Sequence, residues 1–212
     1  EFSYESEEGK QTISIPPSLL ISAMGQVEDV RHCVTMDLKE VGNTLYVVGL
    51  TSHELGGSHF ALVEQLEGGC VPKVDTKVAK QTFQAIHQAI RSGCLRACHD
   101  LSEGGLAVGV AEMAFAGGLG VSLSLATVPH NIDDDDQFDI VTLFSESNSR
   151  FICEVPDGKR ADFEKLFGEL PCAAIGKVTD TGRAVIVRGD GTPLIDCSIA
   201  DLKEAWQSPL RW

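Results

Sequence analysis

No stretch of the chain approaches the ~20 consecutive apolar residues that span a bilayer, and no signal-peptide pattern opens it. No membrane partner is therefore expected. Basic residues are scarce as well: 17 Lys and Arg stand against 31 Asp and Glu, a net charge of −14 over 212 residues. That imbalance argues against broad binding to nucleic acid or an anionic membrane surface, which both need a cationic face. A small anionic ligand stays within reach, because local backbone N–H groups act over short distances regardless of global charge. Metal-site spacing is missing too. Cys94 and Cys98 are separated by three residues, but no second Cys/His pair follows. The seven cysteines are scattered, odd in number and set mostly in apolar surroundings, which predicts reduced, buried thiols in a cytosolic protein. Four consecutive aspartates, Asp133 to Asp136, lack the spaced ligands, turn glycine and distal Glu of a calcium loop. They read as a helix cap and solvated loop. There is no internal repeat and no low-complexity segment.

What is present is enough apolar residue, 43%, to bury a sizeable core. The chain starts on a polar stretch without Met and reads as a piece of something longer. Residues 13–27 read as a strand at a sheet edge with a break at Pro16-Pro17. Rough alternation continues from Val30 to Leu38, and "GNTLYVVGL" is a buried strand after a Gly42-Asn43 turn. Glycine and proline in "EGGCVPKVD" mark the expected boundary, giving units of 1–66 and 73–212. From Asp75 the period lengthens to about 3.6. A helix is expected with Val78, Phe83, Ile86, Ala89 and Ile90 on one face, capped by Asp75 or Thr76 and stopped at Gly93. Strands at "VSLSL", "SRFICEV", "AAIGKV" and "RAVIVRG" alternate with helices at "GKRADFEKLFGEL" and "SIADLKEAW". The fold class is α+β, an α/β sandwich.

Two glycine motifs carry the chemistry. In "HDLSEGGLAVGVAEMAF" a short strand end precedes Asp100, then Ser102, then Gly104-Gly105 opening a helix. Each glycine inside a helix costs roughly 1 kcal/mol relative to alanine, so something must compensate. Without Cβ atoms a phosphate, or another backbone, can approach the helix start closely. Asp100 and Glu103 are hard oxygen ligands of the kind magnesium prefers. Ser102 suits either a phosphate oxygen or a plain helix cap. The spacing is neither that of a P-loop nor of a dinucleotide fingerprint. In "ELGGSHF", Gly56, Gly57 and Ser58 make either an anion nest or a turn before a helix.

"HDLSEGGLAVGVAEMAFAGGLG", with "LGGSHF", "LFSESNSRF" and "IGKVTD" in that family's motif order, closely resembles the phosphoribosylformylglycinamidine synthase family. That family belongs to the aminoimidazole ribonucleotide synthetase-like superfamily, and the likeness covers nearly the whole chain. It implies ATP-dependent amidation of formylglycinamide ribonucleotide with ammonia, in the cytoplasm, within purine biosynthesis. It makes residues 1–66 the end of a strand-rich N-type half and 73–212 the complete C-terminal α/β domain. It implies Asp100 as a magnesium ligand, Ser102, Gly104 and Gly105 at an ATP or ADP site, and Gly57 and Ser58 in a substrate phosphate pocket. The family's catalytic residues lie in an earlier half, so no catalytic residue is expected here. The expected partners are that missing N-terminal half and a source of ammonia or glutamine. Exposed β edges where the half-barrel is missing are places where two copies can pair into a homodimer. Two other readings stay open: another synthetase of the superfamily, or a non-catalytic structural half stabilised by Mg-nucleotide.

Overall fold

The computed structural model describes residues 1–7, 9–14, 20–133 and 135–211; the expected Pro16-Pro17 break lies outside them. The chain forms two compact units, Glu1–Val30 and Arg31–Trp212. In the first, β1 (Phe2–Ser6) and β2 (Gly9–Ile13) make an antiparallel hairpin in the register Phe2↔Ile13 to Ser6↔Gly9. Gly9, the first residue of β2, has φ +102°, a conformation that favours glycine. The strand expected over residues 13–27 is not present at 20–27. β-Branched composition favours a strand only where a partner and a buried face exist, and Leu20 and Met24 are 94% and 100% exposed.

The second unit is built on a seven-stranded sheet, in which β3 (Thr44–Val48), β4 (Ala97–Asp100), β5 (Gly120–Ser124), β6 (Phe151–Val155), β7 (Cys172–Thr179), β8 (Arg183–Val187) and β9 (Pro193–Ser198) lie in the order β4-β6-β3-β7-β5-β8-β9. Its neighbours are antiparallel except for the parallel pair β5–β8. Its helices are α1 (His59–Val63), α2 (Thr76–Arg91), α3 (Gly105–Gly117), α4 (Phe138–Phe144), α5 (Arg160–Phe167) and α6 (Ile199–Gln207).

β3 shows why there are three layers. Side chains alternate across a strand, so Leu45 and Val47 enter a core with Leu106, Val110 and Met113 of α3 and Leu143 of α4. Tyr46 and Val48 enter a second core with Ala85, Ile86 and Ala89 of α2 and Phe163 and Phe167 of α5. The α/β sandwich expected from the sequence is the observed class. The boundary expected between 66 and 73 is not where the structure divides. β3 lies upstream of it, yet pairs with β6 and β7 at the middle of the sheet. The glycine-rich stretch marks a loop inside the second unit, since a strand buried on both faces cannot be parted from its partners. Glu154, fully buried on β6, also ties in the chain before β3. It accepts from the amides of Lys39 (2.8 Å) and Glu40 (3.0 Å) and from Asn43 Nδ2 (2.6 Å).

α2 starts where expected, with Asp75 accepting from the amides of Lys77 and Val78 at 3.0 Å, and Gly93 follows its end at φ +67°. Phe83 departs from expectation. It is half-exposed, edge-on to Phe151 at 5.8 Å between ring centres, while Thr82 and Ala85 take the buried positions. The aspartate run does not cap α4, whose N-cap is Gln137 without a side-chain bond.

All seven cysteines are free; Cys33 and Cys70 are exposed, whereas Cys94 and Cys153 are buried. Burial pushes the Cys153 thiol well above its ordinary range, and the thiolate is the reacting form. A disulfide reagent at neutral pH is expected to label Cys33 and Cys70 first in the folded chain, and Cys94 and Cys153 only on unfolding. Peptide mapping checks this; early labelling of Cys153 would contradict the packing of the second core.

Candidate functional site

β4 ends at Asp100, the position from which the first glycine motif turns into α3. Leu101 is buried and donates its amide to the Arg150 carbonyl (3.0 Å), which anchors the turn to the start of β6. The two side chains flanking Leu101 meet: the Ser102 hydroxyl donates to Asp100 Oδ2. That bond, more than any other influence, holds the Asp100 carboxyl below the usual range against partial burial, with His99 helping. Asp100 is thus a carboxylate at neutral pH. His99 Nδ1 lies 3.4 Å from Asp100 Oδ1, and its Nε2 is 2.8 Å from Glu112 Oε2 on α3.

The paired glycines are explained by packing. Gly104 is the N-cap of α3 in the left-handed region (φ +76°). Gly105 also has positive φ (+62°), and a Cβ there would stand 2.4 Å from the Ser145 carbonyl oxygen. The close approach is therefore by another backbone, one of the two alternatives the sequence left open. Neither amide is free: Gly104 N–H donates to Glu146 Oε1 (2.8 Å) and Gly105 N–H to the Ser102 carbonyl (3.1 Å). Gly109, one turn on, differs: a Cβ there would meet Leu101 Cδ2 at 2.7 Å, a side-chain methyl rather than backbone.

The second motif is a turn before a short helix. Ser58 is buried and caps α1, accepting from the Ala61 amide (3.1 Å) and donating to the Leu55 carbonyl (2.8 Å). Gly57 sits at φ +73° with open space where a Cβ would project. The two motifs meet through Glu146, whose Oε1 also accepts the His59 amide at 2.8 Å.

A cleft of about 370 Å³ opens at this end of the sheet. Asp100, Ser102, Glu103 and Glu146 line its polar side, and Pro72, Phe83 and Phe151 its apolar side. Gly104, Gly105, Gly57 and Ser58 do not line it. Arg150 reaches the cleft wall but is 1% exposed. Its Nε donates to the Ser147 carbonyl (3.0 Å), Nη1 to Thr51 Oγ1 (3.0 Å) and Nη2 to the Ser145 carbonyl. Burial pulls its pKa down to about 10, with Glu54 and Glu146 opposing. Glu146, Arg150, Phe83 and Phe151 are among the lining residues that residue-by-residue reading of the sequence does not single out. The signal available for two of them was the serine-rich turn "SESNSR" between a helix and a strand.

Among the described residues no group of three or more His, Cys, Asp or Glu converges as a metal cage. Asp100 nonetheless fits as a single magnesium ligand, being ionised, with a side chain 60% exposed. Magnesium commonly takes only one or two carboxylates and fills its remaining positions with phosphate oxygens and water.

An antiparallel-rich seven-stranded sheet between two helical layers, with a carboxylate-and-hydroxyl cleft at one end, defines an α/β sandwich domain. The chain belongs to the family described as AIR synthase related protein, C-terminal domain, which matches residues 40–189. Among its relatives is phosphoribosylformylglycinamidine synthase subunit PurL of Alkaliphilus metalliredigens (strain QYMF), 34% identical over 201 residues. The alignment covers 93% of this chain and 26% of the relative, so the chain spans about a quarter of that protein's length. Solved structures agree on the fold. T. maritima PurL complexed with FGAR superposes with a TM-score of 0.71 at 17% identity, over 82% of this chain and 30% of that one. T. maritima PurL complexed with ATP gives 0.67 at 18% identity, over 82% and 27%.

Proposed function

We propose that this chain is the C-terminal part of a PurL-type synthetase, the ATP-dependent enzyme that amidates formylglycinamide ribonucleotide in purine biosynthesis. Its own contribution is a Mg-nucleotide subsite and a scaffold for the remainder. The observation that carries this reading is the Asp100–Ser102 pair facing solvent at the mouth of the cleft. Magnesium bound there would neutralise phosphate charge. Asp100 would supply one oxygen to it, and the Ser102 hydroxyl, released from Asp100 once that carboxylate turns to the metal, would donate its one proton to a phosphate oxygen. Gly104 and Gly105 contribute by setting the turn that carries Ser102. Gly57 and Ser58 contribute to the substrate side by shaping the loop before α1.

The cleft's composition favours binding over chemistry in this part of the enzyme. No lysine or histidine lines it among the described residues, and Arg150 is buried with each of its three nitrogens donating to a protein oxygen. Phosphoryl transfer needs cationic groups at the transferring phosphate, and these are expected from the N-terminal half. The ammonia or glutamine source is likewise expected outside this chain.

Titration calorimetry with ADP tests the reading. Binding is expected only with magnesium present, and Asp100→Ala is expected to weaken it at least tenfold, about 1.4 kcal/mol. Identical isotherms for the two proteins would remove Asp100 from the site. ADP release with formylglycinamide ribonucleotide and ammonia is expected to be undetectable for the chain alone. Robust turnover would show that the catalytic groups are in this chain after all.

A further inference from the structure

Glu146 does something that neither glycine motif explains by itself. Its carboxylate lies between two loop-to-helix turns separated widely in sequence, with one oxygen accepting from both of them. The Gly104 N-cap has no side-chain bond of its own to offer α3. His59 N–H is left over after Ser58 has capped α1 at Ala61. Each turn thus has one donor that its own motif does not satisfy, and both donors point at Glu146 Oε1.

The turn that carries Glu146 is held on both sides. Arg150 donates to the carbonyls of Ser145 and Ser147, the residues flanking Glu146. The Ser145 hydroxyl donates to the Ser52 carbonyl (2.8 Å), and the Ser52 amide donates to Ser147 Oγ (3.0 Å). Little freedom is left to the Glu146 backbone, so its carboxylate arrives preorganised. A carboxylate accepting amide bonds makes charge-assisted contacts, stronger than neutral ones.

We propose that Glu146 is a positioning residue that fixes the "LGGSHF" and "LSEGG" turns to a single point, so that the two move as one. The role goes beyond nucleotide binding and does not depend on which ligand either turn meets. It separates the carboxylates of the cleft into two kinds. Asp100 is turned toward solvent and available to a ligand, whereas Glu146 is committed to the protein.

Amide hydrogen exchange on the full chain, followed by NMR, tests this. In Glu146→Ala, exchange at Gly104 and His59 is expected to accelerate together by at least about tenfold, the loss of a charge-assisted bond. Leu101, bonded to the Arg150 carbonyl, and Gly42, bonded to the Val178 carbonyl, are expected to keep their protection. Glu146→Gln keeps an acceptor oxygen at the same reach without the charge, so both amides are expected to recover protection in part. Should the alanine variant fail to fold, the glutamine variant decides, since its Gly104 and His59 amide resonances are expected to shift together. Acceleration or a shift at only one of the two amides overturns the proposal. So does a change spread equally to Leu101 and Gly42, which would make Glu146 a general stabiliser.

Discussion

Gly105→Ala is expected to lower the unfolding free energy of the chain by about 3–5 kcal/mol. Two costs combine. An L-residue at φ +62° is strained by roughly 1–2 kcal/mol, and the added methyl would lie 2.4 Å from the Ser145 carbonyl oxygen and 3.0 Å from that of Leu143. Both obstacles are backbone, so neither can rotate away, and α3 must shift against the turn after α4. Gly118→Ala isolates the first cost, because Gly118 has φ +68° with nothing within 4 Å of its would-be Cβ. A loss of only about 1 kcal/mol is expected there. Urea unfolding of the two variants side by side checks the contrast. Equal losses would mean that the approach of Ser145 is softer than its geometry implies.

Arg150→Met carries the second large effect, about 3 kcal/mol of destabilisation. The opposing term has to be weighed first, since burying a guanidinium costs several kcal/mol and apolar replacement of buried charge is sometimes stabilising. Here the side chain satisfies three acceptors, the carbonyls of Ser145 and Ser147 and the Thr51 hydroxyl, none of which methionine can serve. Each buried acceptor left alone costs about 1–3 kcal/mol, so the loss outweighs the relief. Arg150→Lys is expected to recover little, because an ammonium lacks the planar fork that reaches separated oxygens. Equilibrium unfolding settles the sign. A methionine variant as stable as the parent would show that desolvation of the guanidinium dominates.

Sequence reading reached the elements whose cause is local. Asp75 caps α2, and the apolar run at 44–48 is a buried strand, because capping and burial on both faces leave their mark in a few adjacent residues. Reading failed where the cause lies across the fold. Nothing near residues 44–48 says that their partners come from β6 and β7, so the glycine-rich loop at 66–73 reads as a boundary from sequence alone. Nothing near Phe83 says that Phe151 will meet it edge-on and leave it half-exposed. The motif around Asp100 was legible as hydroxyl, carboxylate and glycines, since these lie within one turn of chain. Glu146, which joins that motif to the one at Gly57-Ser58, depends on three separate stretches of chain. It was visible only as part of a resemblance.

The central place of β3 also governs when the sheet can form. Its flank at Asn43 is held by Glu154, 111 residues later, and its other edge pairs with β7, further on still. During synthesis Leu45, Val47 and Val48 leave the ribosome long before either neighbour exists. Contacts of such sequence separation make for slow folding and an exposed apolar strand in the meantime. Premature termination before residue 172 would leave that strand with one edge unpaired for good, a template for aggregation.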